Sequence, residues 1–508
     1  MGPRIRGGLK AVFRSRAAIV PDRRPKTRAT FVRRSKAKTE GHGSFPIEGP
    51  NEGHDRSRSK VQTRVTIEGR YARAPGGAYY DRKSMIESPV RSSPLPQAFQ
   101  NGEIHDWYRT VWGYSDHLVA SLLDEFGAKR KSTMRVLDPF CGSGTTLVEC
   151  MKRGVDSAGI DANPVSCLAA RVKTNWSLKP ERLLDLLDEV RAAYQAHRSN
   201  TTYSDPTYIY LEDSGMISRG WISPEPLRKA LVLKRCLGAL DTNNVYRQAL
   251  TLLLLDTLLR TASNVKFGPE LYCAKRKDNA DVIGDFSARV KTMAEDLDLA
   301  RHTSLGSRSR VIEGDSRNSG AMKERLGGPR FSHVICSPPY PAEHDYTRNS
   351  RLELAFLEKV SDRDSLQAIK RNMVRSHTKG IYSEDADSDN VSTDKTLNGL
   401  VRRIDRAAAT KEHGFAKLYS RVTTEYFGGM KRHLESLHPI LRRGATLAYV
   451  VGDQSSYLQV PVETAKILGS LAEQVGYDLV EIRHWRDRSS RSRAKTIVEN
   501  ILILRKSF

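Results

Sequence analysis

Apolar residues recur at helical and strand spacing from about residue 106 onwards. The segment His117–Phe126 has the i, i+3, i+4 apolar spacing of an amphipathic helix, through Leu118, Leu122, Leu123 and Phe126. A short apolar run, a glycine turn, a helical stretch and a second apolar run come next, which predicts a β-α-β unit. Its segments are Met134–Leu137, Thr145–Arg153 and Asp156–Ile160, with Pro164 in the first turn of a further helix that includes Ser166–Val172.

Residues 176–305 have a helical pattern with little strand-like alternation. The longest apolar stretch, Leu250–Leu259, is about half the ~20 residues that span a bilayer, and it contains Asp256. We therefore predict a buried helix there and no membrane-spanning segment. The predicted helices of this region are Leu183–Ala196, Glu225–Leu240, Asn244–Ala262 and Asp285–Ala300.

Strand-like runs return after residue 305, so the α/β layering resumes and residues 176–305 are predicted to be an insertion. The polar segment Ser361–Lys411 has few apolar anchors, which predicts a long mobile loop with marginal helices. The later predicted strands are Arg310–Glu313, Ser332–Cys336, Thr446–Val451, Leu479–Arg483 and Ile497–Leu504, and the predicted helices are Lys417–His438 and Val462–Val475.

The N-terminal segment, residues 1–93, shows no apolar periodicity and is rich in Arg, Gly, Pro and Ser. Residues 1–40 contain 13 Lys and Arg against 2 acidic residues, within a chain of net charge +24. Such a segment cannot bury enough apolar surface to offset the entropy of ordering, so we predict a disordered basic arm. A nucleic-acid tether, a targeting sequence and a solvated tail all fit this composition. The overall excess of positive charge indicates a polyanionic partner.

The six cysteines form no C-x-x-C pair and have no companion histidines at metal-ligand spacing. The sequence therefore predicts neither a metal site nor a disulfide framework, and a reducing, cytoplasmic location fits this composition.

The first chemical motif is a strand that enters a glycine turn at the start of a helix, Val136–Thr146. Glycines allow close backbone approach, and the free N–H groups of the first helical turn bind anions. The motif lacks the third glycine of a dinucleotide fingerprint and the G-K-S/T of a P-loop. Asp138 precedes the turn, so a carboxylate could receive an ammonium group while the helix N-terminus receives a carboxylate. Those are the two ends of an amino acid.

Two further acids follow predicted strands. Asp161 ends the strand after the glycine turn, where an acid accepts hydrogen bonds from ribose hydroxyls in nucleotide-binding α/β folds. Asp315 follows the strand Arg310–Glu313. A helix cap at Asp161 and an Asx turn at Asp315 are the structural alternatives.

The strand Val334–Cys336 runs into Ser337-Pro338-Pro339-Tyr340. Two prolines fix the backbone, so the Ser337 hydroxyl and the Pro338 carbonyl can act together as acceptors beside the Tyr340 ring. An amino group on a flat ring suits such a site. A proline-rich surface ligand is the alternative, although its position after a buried strand argues against it.

Together, D-P-F-C-G-S-G-T-T and S-P-P-Y resemble the motifs of the DNA amino-methyltransferases, which use S-adenosylmethionine to methylate exocyclic nitrogens. S-P-P-Y is typical of the cytosine-N4 branch, whereas adenine-N6 enzymes usually have Asp or Asn in place of Ser. Four further segments are similar to the family: His105–Phe126, Asp345–Leu354, Gly444–Asp453 and Glu499–Leu502.

The resemblance implies an α/β, Rossmann-like class I methyltransferase fold: a mostly parallel seven-stranded sheet with helices on both faces. The catalytic domain would comprise residues 94–175 and 306–508, interrupted by the helical insertion at 176–305. Double-stranded DNA is the implied partner, with a restriction endonuclease as a further candidate. The implied S-adenosylmethionine residues are Trp112, Tyr114, Asp138, Pro139, Phe140, Gly142, Gly144, Thr145, Asp161 and Asp315, and the implied catalytic residues are Ser337, Pro338, Pro339 and Tyr340.

Three alternatives remain open: an adenine-N6 enzyme, an RNA base methyltransferase, and a non-catalytic DNA-binding protein on the same fold. The insertion, which the two pockets do not require, is predicted to face DNA or to be a structural lid. Its candidate cations are Arg228, Lys229, Lys234, Arg235, Arg260, Lys266, Lys275, Arg276 and Lys277.

Overall fold

A computed structural model describes residues 103–110, 113–128, 133–267, 271–303, 305–328, 330–411, 414–455, 457–489 and 496–507. The predicted basic arm, residues 1–93, and Trp112 lie outside these ranges. Within them, every helix is too short or too polar to cross a bilayer.

A seven-stranded sheet forms the centre of the fold, in the order β5-β2-β1-β6-β7-β9-β8. Neighbouring strands from β5 to β7 are parallel, whereas β9 is antiparallel to both β7 and β8. The predicted α/β fold with a mostly parallel seven-stranded sheet is thereby confirmed. Its strands are β1 (Arg135–Asp138), β2 (Asp156–Asp161), β5 (Ser309–Glu313), β6 (Phe331–Cys336), β7 (Leu441–Gly452), β8 (Tyr477–Ser489) and β9 (Thr496–Lys506), and a separate hairpin contains β3 (Val265–Phe267) and β4 (Leu271–Cys273).

Helices cover both faces of the sheet. The predicted amphipathic helix, α2 (Asp116–Glu125), packs its leucines on one face against residues such as Val136 and Ile335. The other face is covered by α10 (Ser319–Leu326), α14 (Tyr419–Leu437) and α15 (Thr464–Val475). The remaining helices outside the insertion are α1 (Glu103–Asp106), α3 (Thr145–Lys152), α4 (Pro164–Lys173), α11 (Arg351–Phe356), α12 (Arg363–Arg371) and α13 (Lys395–Ala409).

The predicted insertion is helical, and three of its helices begin with a proline, whose missing N–H costs nothing at that position. Its apolar core is continuous with residues of α4 and α11, so it packs directly on helices that flank the central sheet. Asp256 is buried inside it and is paired with Arg260 and Arg289. The helices are α5 (Pro180–His197), α6 (Pro206–Asp213), α7 (Pro224–Ala239), α8 (Asn244–Thr257), which continues as a π-helix (Leu258–Ala262), and α9 (Val282–Thr303).

The prediction of a long mobile loop at 361–411 is wrong. The segment contains α12 and α13, and Leu397, Leu400 and Ile404 of α13 are buried at helical spacing. A short 3₁₀ turn, Asp387–Val391, packs so closely on α14 that a Cβ at Gly428 would lie 1.9 Å from the Asp387 carbonyl oxygen. Few apolar residues suffice here because those of α13 are concentrated on one buried face.

The last two strands are longer than predicted. Strand β8 pairs with β9 as far as Ser489 and Thr496, whereas β7 pairs with β9 only as far as Gly452 and Glu499. The ends of β8 and β9 thus project beyond the sheet. The sequence of these ends is polar and did not indicate strands. Apolar and polar residues alternate along a strand only where one of its faces is buried.

Candidate active site

A cavity of about 270 Å³ opens where β1, β2, β5 and β6 end. This is the carboxyl edge of the parallel strands, where ligands bind in open α/β sheets. Most of the site residues predicted from sequence come together in its wall. They are Tyr114, Pro139, Phe140, Gly142, Thr145, Asp161, Ser337, Pro338, Pro339 and Tyr340.

Asp161 joins the glycine turn to the loop after β2. Its Oδ2 accepts a hydrogen bond from the Gly142 N–H at 2.9 Å, and its Oδ1 accepts one from the Asn163 N–H at 2.8 Å. Gly142 has a φ of 49°, a conformation that favours glycine. Burial raises the pKa of Asp161 to about 6, while the two amide hydrogen bonds oppose that shift. Each carboxylate oxygen retains acceptor capacity on the cavity side.

Asp138 lies beneath the turn, fully buried, and does not line the cavity. Its carboxylate accepts hydrogen bonds from the Phe140 N–H at 3.0 Å and the Thr146 hydroxyl at 2.6 Å, with the Tyr114 hydroxyl at 3.3 Å. Burial raises its pKa to about 7. The structure therefore gives Asp138 a role in holding the turn, with Tyr114 drawn against it.

Gly144 also lies outside the cavity wall. It precedes α3 with a φ of 91°, and a Cβ there would lie 3.0 Å from the Ala170 Cα. The glycine thus allows α3 and α4 to approach closely.

Asp315 is the third predicted residue that does not reach the cavity, although its neighbours Gly314 and Ser316 do. Its carboxylate accepts hydrogen bonds from Nε and Nη2 of Arg317, the latter at 2.8 Å. Arg317 also pairs with Asp387 at 2.5 Å. The ion pairs fix the loop after β5 against the 387–391 turn.

The Ser337–Tyr340 motif is held on three sides. The Ser337 hydroxyl donates to the Val450 carbonyl at 3.2 Å, so its lone pairs remain available as acceptors. The Tyr426 hydroxyl donates to the Pro339 carbonyl at 2.9 Å, and the Tyr340 N–H donates to the Tyr346 hydroxyl at 2.9 Å. These contacts hold Ser337, Pro339 and the Tyr340 backbone without consuming the Ser337 acceptor.

Sequence reasoning gave no role to a buried acid in the cavity wall. Glu353 of α11 accepts a hydrogen bond from the Tyr108 hydroxyl at 2.7 Å through Oε1, whereas Oε2 has no hydrogen-bond partner among the described residues. Burial raises the pKa of Glu353 to about 7. The residue lies in a family-like segment, but no spacing rule distinguishes a buried glutamate from a solvated one.

A second group of cavity residues was not predicted from the sequence. Its members, on β8 and β9, are Trp485, Arg486 and Glu499. Arg486 pairs with Glu499, Nε to Oε2, at 2.6 Å and stacks over the Trp485 ring at 4.1 Å from its centroid. A tryptophan within an otherwise charged strand was the available signal.

The expectation that the pockets do not require the insertion is wrong in one respect, since Leu259 and Phe267 contribute to the cavity wall. Helical periodicity could not show this, because Phe267 lies on the short hairpin strand β3.

No protein family profile matches the chain. The chain is 25% identical over 436 residues to the type II methyltransferase M.AvaI of Nostoc sp., covering 81% of this chain and 87% of that protein. It is 28% identical over 294 residues to the type II methyltransferase M.BsoBI of Geobacillus stearothermophilus, covering 51% and 54% respectively. Among solved structures, the chain is similar to the rRNA methyltransferase aviRa of Streptomyces viridochromogenes, and the match covers 82% of this chain and 97% of that one. The sequence identity is 11% and the TM-score is 0.28, so the match does not bear on function.

The two relatives support the expected membership of the methyltransferases. S-adenosylmethionine is the methyl donor of that class.

Proposed function

We propose that this chain is a site-specific DNA methyltransferase that transfers a methyl group from S-adenosylmethionine to the exocyclic N4 of cytosine. One observation carries the proposal: the Ser337–Tyr340 motif and the glycine turn with Asp161 open into the same cavity. The 25% identity to M.AvaI, which extends over most of both chains, supports DNA as the substrate.

The residues present fit the cofactor. Gly142 and Thr145 would hold its methionine part at the start of α3, and Asp161 would accept the ribose hydroxyls. The loop residues Gly314 and Ser316, which line the cavity, would meet the adenine in the role first predicted for Asp315. When bound, S-adenosylmethionine supplies an activated methyl group on a sulfonium.

The amino group of cytosine is a weak nucleophile because its lone pair is delocalised into the ring. Acceptors at Ser337 Oγ and the Pro338 carbonyl would bind its two N–H groups and direct the lone pair towards the methyl carbon. Catalysis then consists of positioning and electrostatic stabilisation, without a covalent bond to the protein. As the N–C bond forms, the methyl carbon's bond to sulfur would break and a neutral thioether would leave. These acceptors would then hold the extra proton on N4 until water removes it.

The base must leave the DNA duplex to enter the cavity, at a cost of a few kcal/mol. Stacking on Tyr340 would offset part of that cost. The same acceptors could bind the amino group of adenine, so the preference for cytosine depends on Ser at position 337. A restriction endonuclease partner stays a prediction from the family resemblance.

The proposal is tested by incubating the full chain with unmethylated plasmid DNA and S-adenosylmethionine, then analysing the nucleosides by mass spectrometry. We expect N4-methylcytosine as the product. N6-methyladenine as the sole product would assign the enzyme to the adenine branch, and methylation of RNA alone would exclude DNA as the substrate. Absence of any methylated product, with cofactor binding intact, would favour a binding protein.

A pair of matched variants tests the site within the same assay. Ser337→Ala should lower turnover by more than 10-fold while leaving cofactor affinity almost unchanged. Ser332→Ala is the control, because Ser332 lies at the other end of β6, where its hydroxyl interacts with the Arg135 backbone. Equal activity of both variants would contradict the role of Ser337.

A further inference from the structure

We propose that Arg486, held by Glu499 and Trp485, binds the C2 carbonyl of the target base and so selects cytosine over adenine. This inference rests on the proposed function and assigns a specificity residue to the same site.

The position of Arg486 follows from the sheet. Gly452 of β7, Glu499 of β9 and Arg486 of β8 are paired side by side across three neighbouring strands. Val450 and Ile501 each lie two residues nearer the core of the sheet, and their side chains belong to the apolar cluster under α2. Because side chains alternate along β7 and β9, Gly452 and Glu499 lie on that same face, at the edge where the cavity opens. A register shift in β8 between His484 and Arg486 brings Arg486 opposite Glu499 and so into the same row.

The catalytic motif meets this row directly. A Cβ at Gly452 would lie 2.9 Å from Cε2 of Tyr340 and 3.7 Å from Cγ of Glu499. Gly452 therefore leaves space in which the Tyr340 ring and the Glu499 side chain lie next to each other. Ser337 belongs to the same group, since its hydroxyl bonds to Val450 and lies 3.5 Å from the Tyr340 hydroxyl.

Arg486 is restrained on one side and open on the other. Its Nε donates to Glu499 at 2.6 Å, and its guanidinium carbon lies 4.1 Å from the centroid of the Trp485 ring. The Glu499 side chain is 2% exposed, whereas that of Arg486 is 47% exposed. The buried Glu499 and the Trp485 ring thus hold the Arg486 guanidinium in place. Its two Nη groups are additional hydrogen-bond donors in the cavity wall.

The two candidate bases differ at the edge that such a donor would meet. With its amino group at Ser337 and Pro338, cytosine next presents the N3 acceptor and then the C2 carbonyl oxygen. Adenine presents the N1 acceptor and then a C–H group. A guanidinium donates two hydrogen bonds in a fixed geometry, so it matches the two adjacent acceptors of cytosine and leaves one donor unpaired against adenine.

The test removes the two partners separately and together. The first partner is removed by Arg486→Met. The second is removed by replacing the target cytosine, in a duplex containing the methylated sequence, with the C-nucleoside 2-amino-5-(2-deoxyribosyl)pyridine. This analogue keeps the amino group and ring nitrogen but has C–H in place of the carbonyl. Single-turnover methylation rates are measured for all four combinations.

We expect each single change to lower the rate by about 10- to 100-fold, as for the loss of a hydrogen bond to a charged group. The two changes combined should lower it no further. Multiplying losses would show that Arg486 acts elsewhere, for example on a DNA phosphate, and an unchanged rate in Arg486→Met would overturn the proposal outright.

Two further variants exclude trivial explanations. Because Arg486→Met removes the guanidinium that pairs with the buried Glu499, Arg486→Met/Glu499→Gln should show the same rate pattern with wild-type cofactor affinity. Arg483→Met is the matched control on the same strand, since Arg483 pairs with Glu125 and Glu481 outside the cavity. Wild-type protein that methylates only adenine would refute both this inference and the proposed function, whereas N4-methylcytosine formed equally well by Arg486→Met would refute this inference alone.

Discussion

Asp161 serves two purposes with one side chain. It bonds to backbone N–H groups from two loops, and it exposes its remaining acceptor capacity to the cavity. Replacement therefore affects both the ligand contact and the shape of the turn, which makes Asp161 the most informative single residue for cofactor binding.

We expect Asp161→Ala to weaken S-adenosylmethionine binding by about 1–3 kcal/mol, because ribose hydroxyls lose their acceptor. Isothermal titration calorimetry on the full chain measures this directly. Asp156→Ala is the control at the opposite end of β2, where Asp156 accepts a hydrogen bond from the Arg308 N–H. Unchanged affinity in Asp161→Ala would remove Asp161 from the cofactor site.

Glu353 makes stability depend on pH. Burial raises its folded-state pKa to about 7, above an unfolded value of about 4.3. The folded protein then binds more protons than the unfolded chain between these values, so the contribution of Glu353 is full below about pH 4.3 and is lost as the pH rises through 7. Relative to Glu353→Gln, the wild type should lose stability between pH 5 and pH 8.

The free energy of unfolding of the wild type, relative to Glu353→Gln, should fall by about 1.4 kcal/mol per unit of pKa difference, a few kcal/mol at most. Urea unfolding of both proteins at pH 5 and pH 8 measures it. Glu358→Gln, an exposed position just after α11, should parallel the wild type at both pH values. Parallel curves for Glu353→Gln and wild type would show that Glu353 stays ionised.

For single residues, the sequence predicted which acids lie at the edge of the sheet, but it could not predict which residues these acids contact. Asp138, Asp161 and Asp315 all follow strands that end at the same edge of the sheet, as predicted. Only Asp161 lines the cavity, since Asp138 is buried beneath the turn and Asp315 is paired with Arg317. Which acid contacts a ligand depends on its neighbours in space. Some of these are distant in the chain, whereas Arg317 follows Asp315 by only two residues.

Among the elements, the β3–β4 hairpin of the insertion is the one that we expect to contact DNA. Phe267 lines the cavity, while Lys266, Tyr272, Lys275 and Arg276 on or next to the hairpin are exposed. Of these, Arg276 makes an ion pair with Asp278 in which both side chains stay exposed. The insertion's other candidate cations are also engaged within the protein. Arg228 pairs with Glu225, Lys229 bonds to Asn279, Lys234 pairs with Glu358, Arg235 pairs with Asp205, Arg260 pairs with Asp256, and Lys277 donates to the carbonyls of Arg260 and Thr261.

We expect the triple variant Lys266→Ala/Lys275→Ala/Arg276→Ala to weaken DNA binding and to reduce the slope of log affinity against log salt by up to about 3, one for each lost phosphate contact. Fluorescence anisotropy at several salt concentrations measures the slope. Cofactor affinity should not change. Lys277→Ala is the contrast, because losing its two carbonyl contacts should lower the melting temperature and leave the slope as it was. An unaltered slope in the triple variant would favour a purely structural lid.

Long elements with regular apolar spacing, such as α2, α5 and α8, were predictable from sequence to within a few residues. The hairpin and α13 were not, for different reasons. Strands β3 and β4 are too short to show alternation, and the apolar residues of α13 are spaced at i, i+3 and i+7 within a polar segment. Their structure depends on the surfaces on which they pack.

For the whole molecule, positive charge is concentrated in the sequence before the catalytic region. Residues 1–40 carry a net charge of 13 − 2 = +11 out of +24. Every motif assigned to the site follows this segment.

Deleting residues 1–90 should leave folding and methyl transfer intact and should mainly weaken non-specific DNA binding. The salt dependence of that binding should become shallower, since fewer counterions are released. Binding to a random duplex and methylation of plasmid DNA, compared between the full chain and the deletion, measure the two effects. An insoluble or inactive deletion would assign a structural role to the segment.

The order of strands also has a consequence for how the chain is made. Strands β1 and β2 are synthesised early, but their outer neighbours β6 and β5 follow only after the whole insertion. Contacts within the insertion are mostly local and can form as it leaves the ribosome, whereas the central sheet must wait for partners of high sequence separation. During translation the outer edge of β2 thus stays unpaired until residue 313 has emerged and that of β1 until residue 336 has emerged, and chaperone demand should be greatest in that interval.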